Sequence, residues 1–132
     1  MHRFAQHQKQ RDLVSVRRSE IDSNTIQGFI LAASEQLVVL QYVYDFNLDG
    51  LMVLRVADIS EVRISATDKF QQTLLVQEGL EQRVPFGSAF DLRDWRSVIS
   101  QFSKKYGLMI LECEAGAEKD FVIGRVLKTL AC

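Results

Sequence analysis

The chain has 132 residues, 47% of them hydrophobic and 25% charged, with a formal net charge of -1. That length sets one domain as the starting expectation, and the near-neutral charge gives no bulk attraction to nucleic acid or to an anionic membrane. Two distant cysteines, Cys113 and Cys132, make neither a disulfide framework nor a zinc site, and no apolar run reaches the roughly 20 residues that span a bilayer.

The charge is unevenly placed along the chain. Residues 1–18 carry Arg3, Lys9, Arg11, Arg17 and Arg18 against Asp12 alone, whereas residues 19–82 carry ten acids against Arg55, Arg63 and Lys69. A basic leader beside an acidic body is either a nucleic-acid arm or a solvated tail attracted to its own domain; Phe4 is its one aromatic residue. Its first residues include His, Gln and Arg rather than an apolar signal core, so the cytoplasm is the expected location. Residues 1–10 are polar and read as a flexible tail.

Leu13, Val14 and Val16 read as a weak first strand. Thr25 to Ala33 is a second, and Ser34-Glu35 a tight turn. Leu37 to Tyr44 follows, and its continuous apolar run predicts a strand buried on both faces. Asp45 to Gly50 reads as a loop, with Asp49-Gly50 expected to supply the positive φ of a hairpin. Strands over Leu51 to Val56 and Ile59 to Ile64 flank a corner at Ala57-Asp58. Such short connections imply an antiparallel meander.

The period then changes. Asp68 is a candidate N-cap for a short helix carrying Phe70, Leu74 and Leu75 and ending at Gly79. Asp91 starts a second helix, on which Leu92, Trp95, Ile99, Phe102 and Tyr106 fall on one stripe at spacings of three and four. Arg93, Arg96, Lys104 and Lys105 lie mostly off that stripe, with the two lysines placed to complement the helix dipole and Gly107 expected as the cap. Leu108 to Leu111, a turn over Glu114 to Lys119, and Phe121 to Leu127 complete the chain. Cys113 in a strand reads as a small buried hydrophobe. The whole is an α+β fold: a tail over 1–10, then one domain over 11–132, with a small antiparallel β-barrel core (11–66), two helices packed on it (67–106) and a β-hairpin (107–132).

Two stretches echo each other, Ile26-Gln-Gly28-Phe-Ile-Leu31 and Val122-Ile-Gly124-Arg-Val-Leu127. Either the hairpin starts a second, incomplete repeat whose strand must find a partner within the domain or across a subunit boundary, or two ordinary strands each need a glycine for a bend.

From Gly28 onward the chain resembles the Sm-like family of small barrels. Gly28, Ile30, Leu37, Val39 and Leu40 keep the apolar skeleton of its first motif, and Leu54-Arg55-Val56-Ala57-Asp58-Ile59 is similar to its second. The likeness covers about a third of the chain and implies a barrel; a general SH3-like barrel accounts for the same strands. The family's RNA-contacting acid falls on Ser34, its asparagine on Val38 and the glycine after its arginine on Val56, so only Arg55 is kept. Valine at 38 offers neither donor nor acceptor, and valine at 56 adds bulk where a base would approach. The resemblance therefore implies the barrel without the family's uridine pocket.

Candidate chemistry is sparse. His2 and His7 stand in the expected tail, no phosphate-binding glycine loop occurs, and Asp45, Asn47, Asp49 and Gly50 resemble the start of a calcium loop whose twelfth position falls on Val56. Glu112 and Glu114 share a strand face, as paired catalytic acids or as outward-facing ones. These patterns predict a non-enzymatic module without cofactor or metal. Tyr42, Tyr44, Phe46 and Leu48 cluster at a strand end and loop and, with Arg55, are the candidate binding residues. The expected partner is protein, a second copy above all (a homo-oligomer). The alternative is an RNA-binding or other nucleic-acid-binding Sm-like protein using Arg3, Arg11, Arg17, Arg18 and Arg55.

Overall fold

A computed structural model describes residues 2–106, 108–113 and 120–125. The chain divides into two compact units, Met1–Ala89 and Phe90–Cys132, a division absent from the sequence expectation of one domain over 11–132.

The first unit is built on alternation. Strands β1 (Leu13–Arg17), β2 (Thr25–Ala33), β3 (Leu37–Tyr44), β4 (Asn47–Arg55) and β5 (Glu61–Arg63) form one antiparallel sheet in the order β4-β3-β2-β1-β5. The expected meander is present, and β5 returns to pair with β1, Val16 opposite Val62. β3 is buried through Leu37–Gln41, as its uninterrupted apolar run predicts. Because successive side chains point to opposite faces, Val14, Val16, Ile26, Ile30, Val38, Leu40 and Leu54 gather on one face with Phe4 and Ile59. Leu13, Ser15, Gln27 and Phe29 point to the other. Gly28 faces Tyr42 across β2 and β3, where a Cβ would stand 2.6 Å from the Gln41 carbonyl oxygen; the strands approach this closely only without a side chain. β4 and β5 remain the two sheet edges, so the hydrogen-bond ladder is an open five-stranded sheet.

The expectation of a flexible tail over 1–10 is corrected by helix α1 (His2–Gln10). A single apolar residue secures it: Phe4 is fully buried in the sheet's main cluster. The helix closes when the Arg11 and Asp12 amides donate to the Gln8 and His7 carbonyls (3.2 and 3.1 Å), with Arg11 at φ 56 in the left-handed position that ends many helices.

Helix α2 (Ala66–Gln77) also differs at its start. Ser65 is the N-cap, and Asp68 is its third helical residue rather than the cap; each side chain bonds the other's backbone N–H. Gly79 at φ 73 ends the helix as expected. Asp68, only 1% exposed, then anchors α2 to the second sheet face by accepting from Ser15 Oγ (2.7 and 2.8 Å) and Gln27 Nε2 (2.8 Å). Phe86 meets Phe29 edge-on at 5.5 Å on this side.

In the second unit, α3 (Trp95–Tyr106) begins four residues later than Asp91. Asp94 takes the capping role, its Oδ1 accepting from the Ser97 amide at 2.8 Å. Val98, Ile99 and Phe102 are buried, while Trp95, expected within the apolar stripe, sits at the helix entrance and is 39% exposed. Helices α1 and α2 belong to the sheet's unit, and α3 to the unit of β6 (Leu108–Cys113) and β7 (Asp120–Arg125). β7 pairs antiparallel with β6, Gly124 opposite Met109, so the last strand has its partner within the chain and supplies no reason for subunit exchange. The expectations for Gly107, the Glu114–Lys119 turn, the end of the last strand and Cys132 lie outside the described residues, as do those for the side chains of Glu112, Cys113 and Tyr106.

Candidate protein-binding site at the β3–β4 hairpin

The β3–β4 hairpin is tighter than its sequence suggests. Tyr44 pairs with Asn47, leaving Asp45 and Phe46 as a two-residue turn with φ of 51° and 63°. Positive φ at both central residues matches the twist of paired strands, and asparagine followed by glycine is the usual way to achieve it. Here the second place holds a phenylalanine, whose Cβ makes that conformation costly. Asp49-Gly50 does not form the turn. It lies within β4 where the register shifts, Gly50 taking φ 82°. The buried Gln41 amide holds this bulge by donating to the Gly50 carbonyl at 2.9 Å.

The turn sets out the aromatic residues. Tyr42 and Tyr44 share a strand face and stack at 6.2 Å. Tyr42 is half-buried against the main cluster, while Tyr44 is 64% and Phe46 48% exposed. Burial raises the Tyr42 phenol above its ordinary pKa, reinforced by the Asp49 carboxylate and by Tyr44, so Tyr42 stays a neutral donor at physiological pH.

The five candidate residues do not form one surface. Tyr42, Tyr44 and Phe46 come together. Leu48, half-buried, pairs opposite Val43 and shares the other face. Arg55 ends β4, seven residues from Leu48 and so roughly 20 Å away along the strand. Its Nε lies 3.9 Å from Asp58 Oδ2. The family's pocket positions coincide with packing instead: Val38 is fully buried, and Val56 opens a 3-10 turn over Val56–Asp58.

Sequence reasoning missed two arrangements. His7 Nδ1 lies 3.0 Å from Asp12 Oδ2, a pair five residues apart that only the turn ending α1 brings together. The second is the cationic face of α3, whose signal, basic and hydroxyl residues at spacings of three and four, is readable in the sequence. Among the described residues no three His, Cys, Asp or Glu side chains form a group able to hold a metal ion, and no helix is long and apolar enough to cross a membrane. No protein-family model, curated protein or solved structure matches the chain.

Proposed function

We propose that the chain is a non-enzymatic interaction module of the small-barrel kind, resembling the Sm-like family in its strands but not in its RNA pocket, and that it binds protein through the β3–β4 hairpin, with a second copy of itself as first partner. The observation that carries this reading is Phe46: an aromatic ring half in water, on a backbone conformation that favours glycine. Neither folding nor solubility gains from that choice, and local strain of this kind collects where a surface is used for contact.

The edge strand supports the same reading. β4 runs nine residues, ends one side of the sheet, and carries Leu51-Met-Val-Leu54 without a proline or lysine to discourage pairing. The opposite edge, β5, is three residues long and is flanked by the charges of Glu61 and Arg63. The nucleic-acid alternative draws less support, since Arg11 lies over the Phe86 ring at 4.6 Å and Arg18 and Arg55 face Asp22 and Asp58. Sedimentation of the full chain from micromolar to several hundred micromolar tests the reading. Mass should rise above the monomer with concentration, and the Tyr44→Ser, Phe46→Gly double variant should return it to monomer. A strict monomer throughout would remove self-association, and a variant that associates as before would move the contact elsewhere.

A further inference from the structure

Residues 96, 97, 100, 101, 104 and 105 recur along α3 at spacings that place them on one face, opposite Val98, Ile99 and Phe102. That face and the preceding Asp91 and Arg93 line an open cleft of about 680 Å³. Among the described residues the lining holds Arg93, Arg96, Lys104 and Lys105 against the Asp91 carboxylate. That carboxylate is engaged: Arg93 donates to Asp91 from Nη2 at 2.8 Å and from Nε at 3.0 and 3.1 Å. Arg93 and Asp91 thus largely cancel, while the charge of Arg96 and Lys104 meets no further acid among the described residues of the lining.

Two features narrow the ligand. Arg96 and Lys104 are eight residues apart, about 12 Å along the axis. That rise of about two turns leaves room between the two side chains for more than one anionic group. Ser100 lies midway, one turn from each, and offers a hydroxyl. Among the described residues the lining has no aromatic or aliphatic side chain to hold a base, sugar face or acyl chain. We propose that this cleft binds a short linear run of phosphate groups, held at its ends by Arg96 and Lys104 and near its centre by Ser100. A nucleoside triphosphate and a free oligophosphate present the same chemistry, and recognition rests on the phosphates alone. The proposal is independent of the hairpin contact.

Calorimetric titration of the full chain with tripolyphosphate, ATP and a single-stranded oligonucleotide, at low and at high salt, tests it. Tripolyphosphate and ATP should bind alike at low salt and be lost at high salt. The Arg96→Gln, Lys104→Gln double variant should weaken both by about tenfold or more, while Lys69→Gln on the exposed side of α2 changes neither. Both altered side chains are exposed, and circular dichroism checks that the helix is kept. Absence of heat with tripolyphosphate and ATP at millimolar concentration would overturn the proposal, as would undiminished binding by the double variant. ATP binding without tripolyphosphate binding would show that a base is read, and an oligonucleotide binding tighter than both would assign the cleft to a polymer; either result overturns it too.

Discussion

At the junction of α2 with the sheet a carboxylate is 1% exposed, whereas at the tip of the β3–β4 hairpin a tyrosine is 64% exposed. Each placement runs against the chemistry of the residue, and the surroundings answer differently. Around Asp68, Ser15, Gln27 and the Ser65 amide supply donors to both carboxylate oxygens. The capping box and the cross-sheet bonds thus share one side chain, which fixes the helix start and its docking together. Tyr44 and Phe46 stay largely exposed even with Tyr42 stacked on Tyr44, and the backbone at Asp45 and Phe46 is held in a costly conformation as well. An ill-suited residue that its own fold satisfies reads as architecture; one left unanswered reads as a surface awaiting a partner.

The largest expected effect falls on the junction. Asp68→Ala leaves the buried Ser15 hydroxyl and the half-buried Gln27 amide without their shared acceptor and removes half of the capping box. A loss of about 3 kcal/mol in denaturant unfolding is expected, with association at the hairpin unchanged per folded molecule. A loss below about 0.5 kcal/mol would mean that the junction is not answered in the way described.

The tip should respond in the opposite direction. Phe46→Gly relieves the left-handed backbone strain and should raise stability by about 1 kcal/mol while weakening self-association. A stability gain with association intact would break the contrast, because the ring would then serve no contact.

The smallest effect is electrostatic. The Tyr42 phenol is raised in the folded state, so its contribution to stability is complete below the ordinary tyrosine range and declines as pH rises through and beyond it. Asp49→Asn removes the second cause and leaves burial and the neighbouring Tyr44. Phenolate absorbance should then appear at lower pH than in the parent chain, yet still above an exposed tyrosine. No displacement would place Asp49 away from the ring.

Much of the fold was legible because period and apolar continuity report directly on strands. Leu37 to Tyr44 could hardly be other than a buried strand, and Ser34-Glu35 had few other roles. What the sequence concealed depended on partners far along the chain. One phenylalanine among polar residues does not announce a helix, yet the cluster around Val14, Val38 and Leu54 gives Phe4 somewhere to go. Asp68 resembles a cap from its neighbours alone, and Ser15, 53 residues away, explains its burial. The turn misled for a related reason: Asp49-Gly50 carries the stronger local signal, but strand pairing placed Asp45 and Phe46 at the bend. Among the candidate binding residues the aromatic trio was readable from local crowding. Adding Leu48 and Arg55 required a register and a length of strand that composition does not reveal.

Trp95 is the chain's one tryptophan and stands in the first turn of α3, inside the 90–132 unit. Its emission is therefore a native reporter placed within that unit, while far-ultraviolet dichroism sums over both. Melting curves that coincide would mean that the two units share a single cooperative transition; curves that part would let each be weighed in the intact molecule without cutting it or adding a dye.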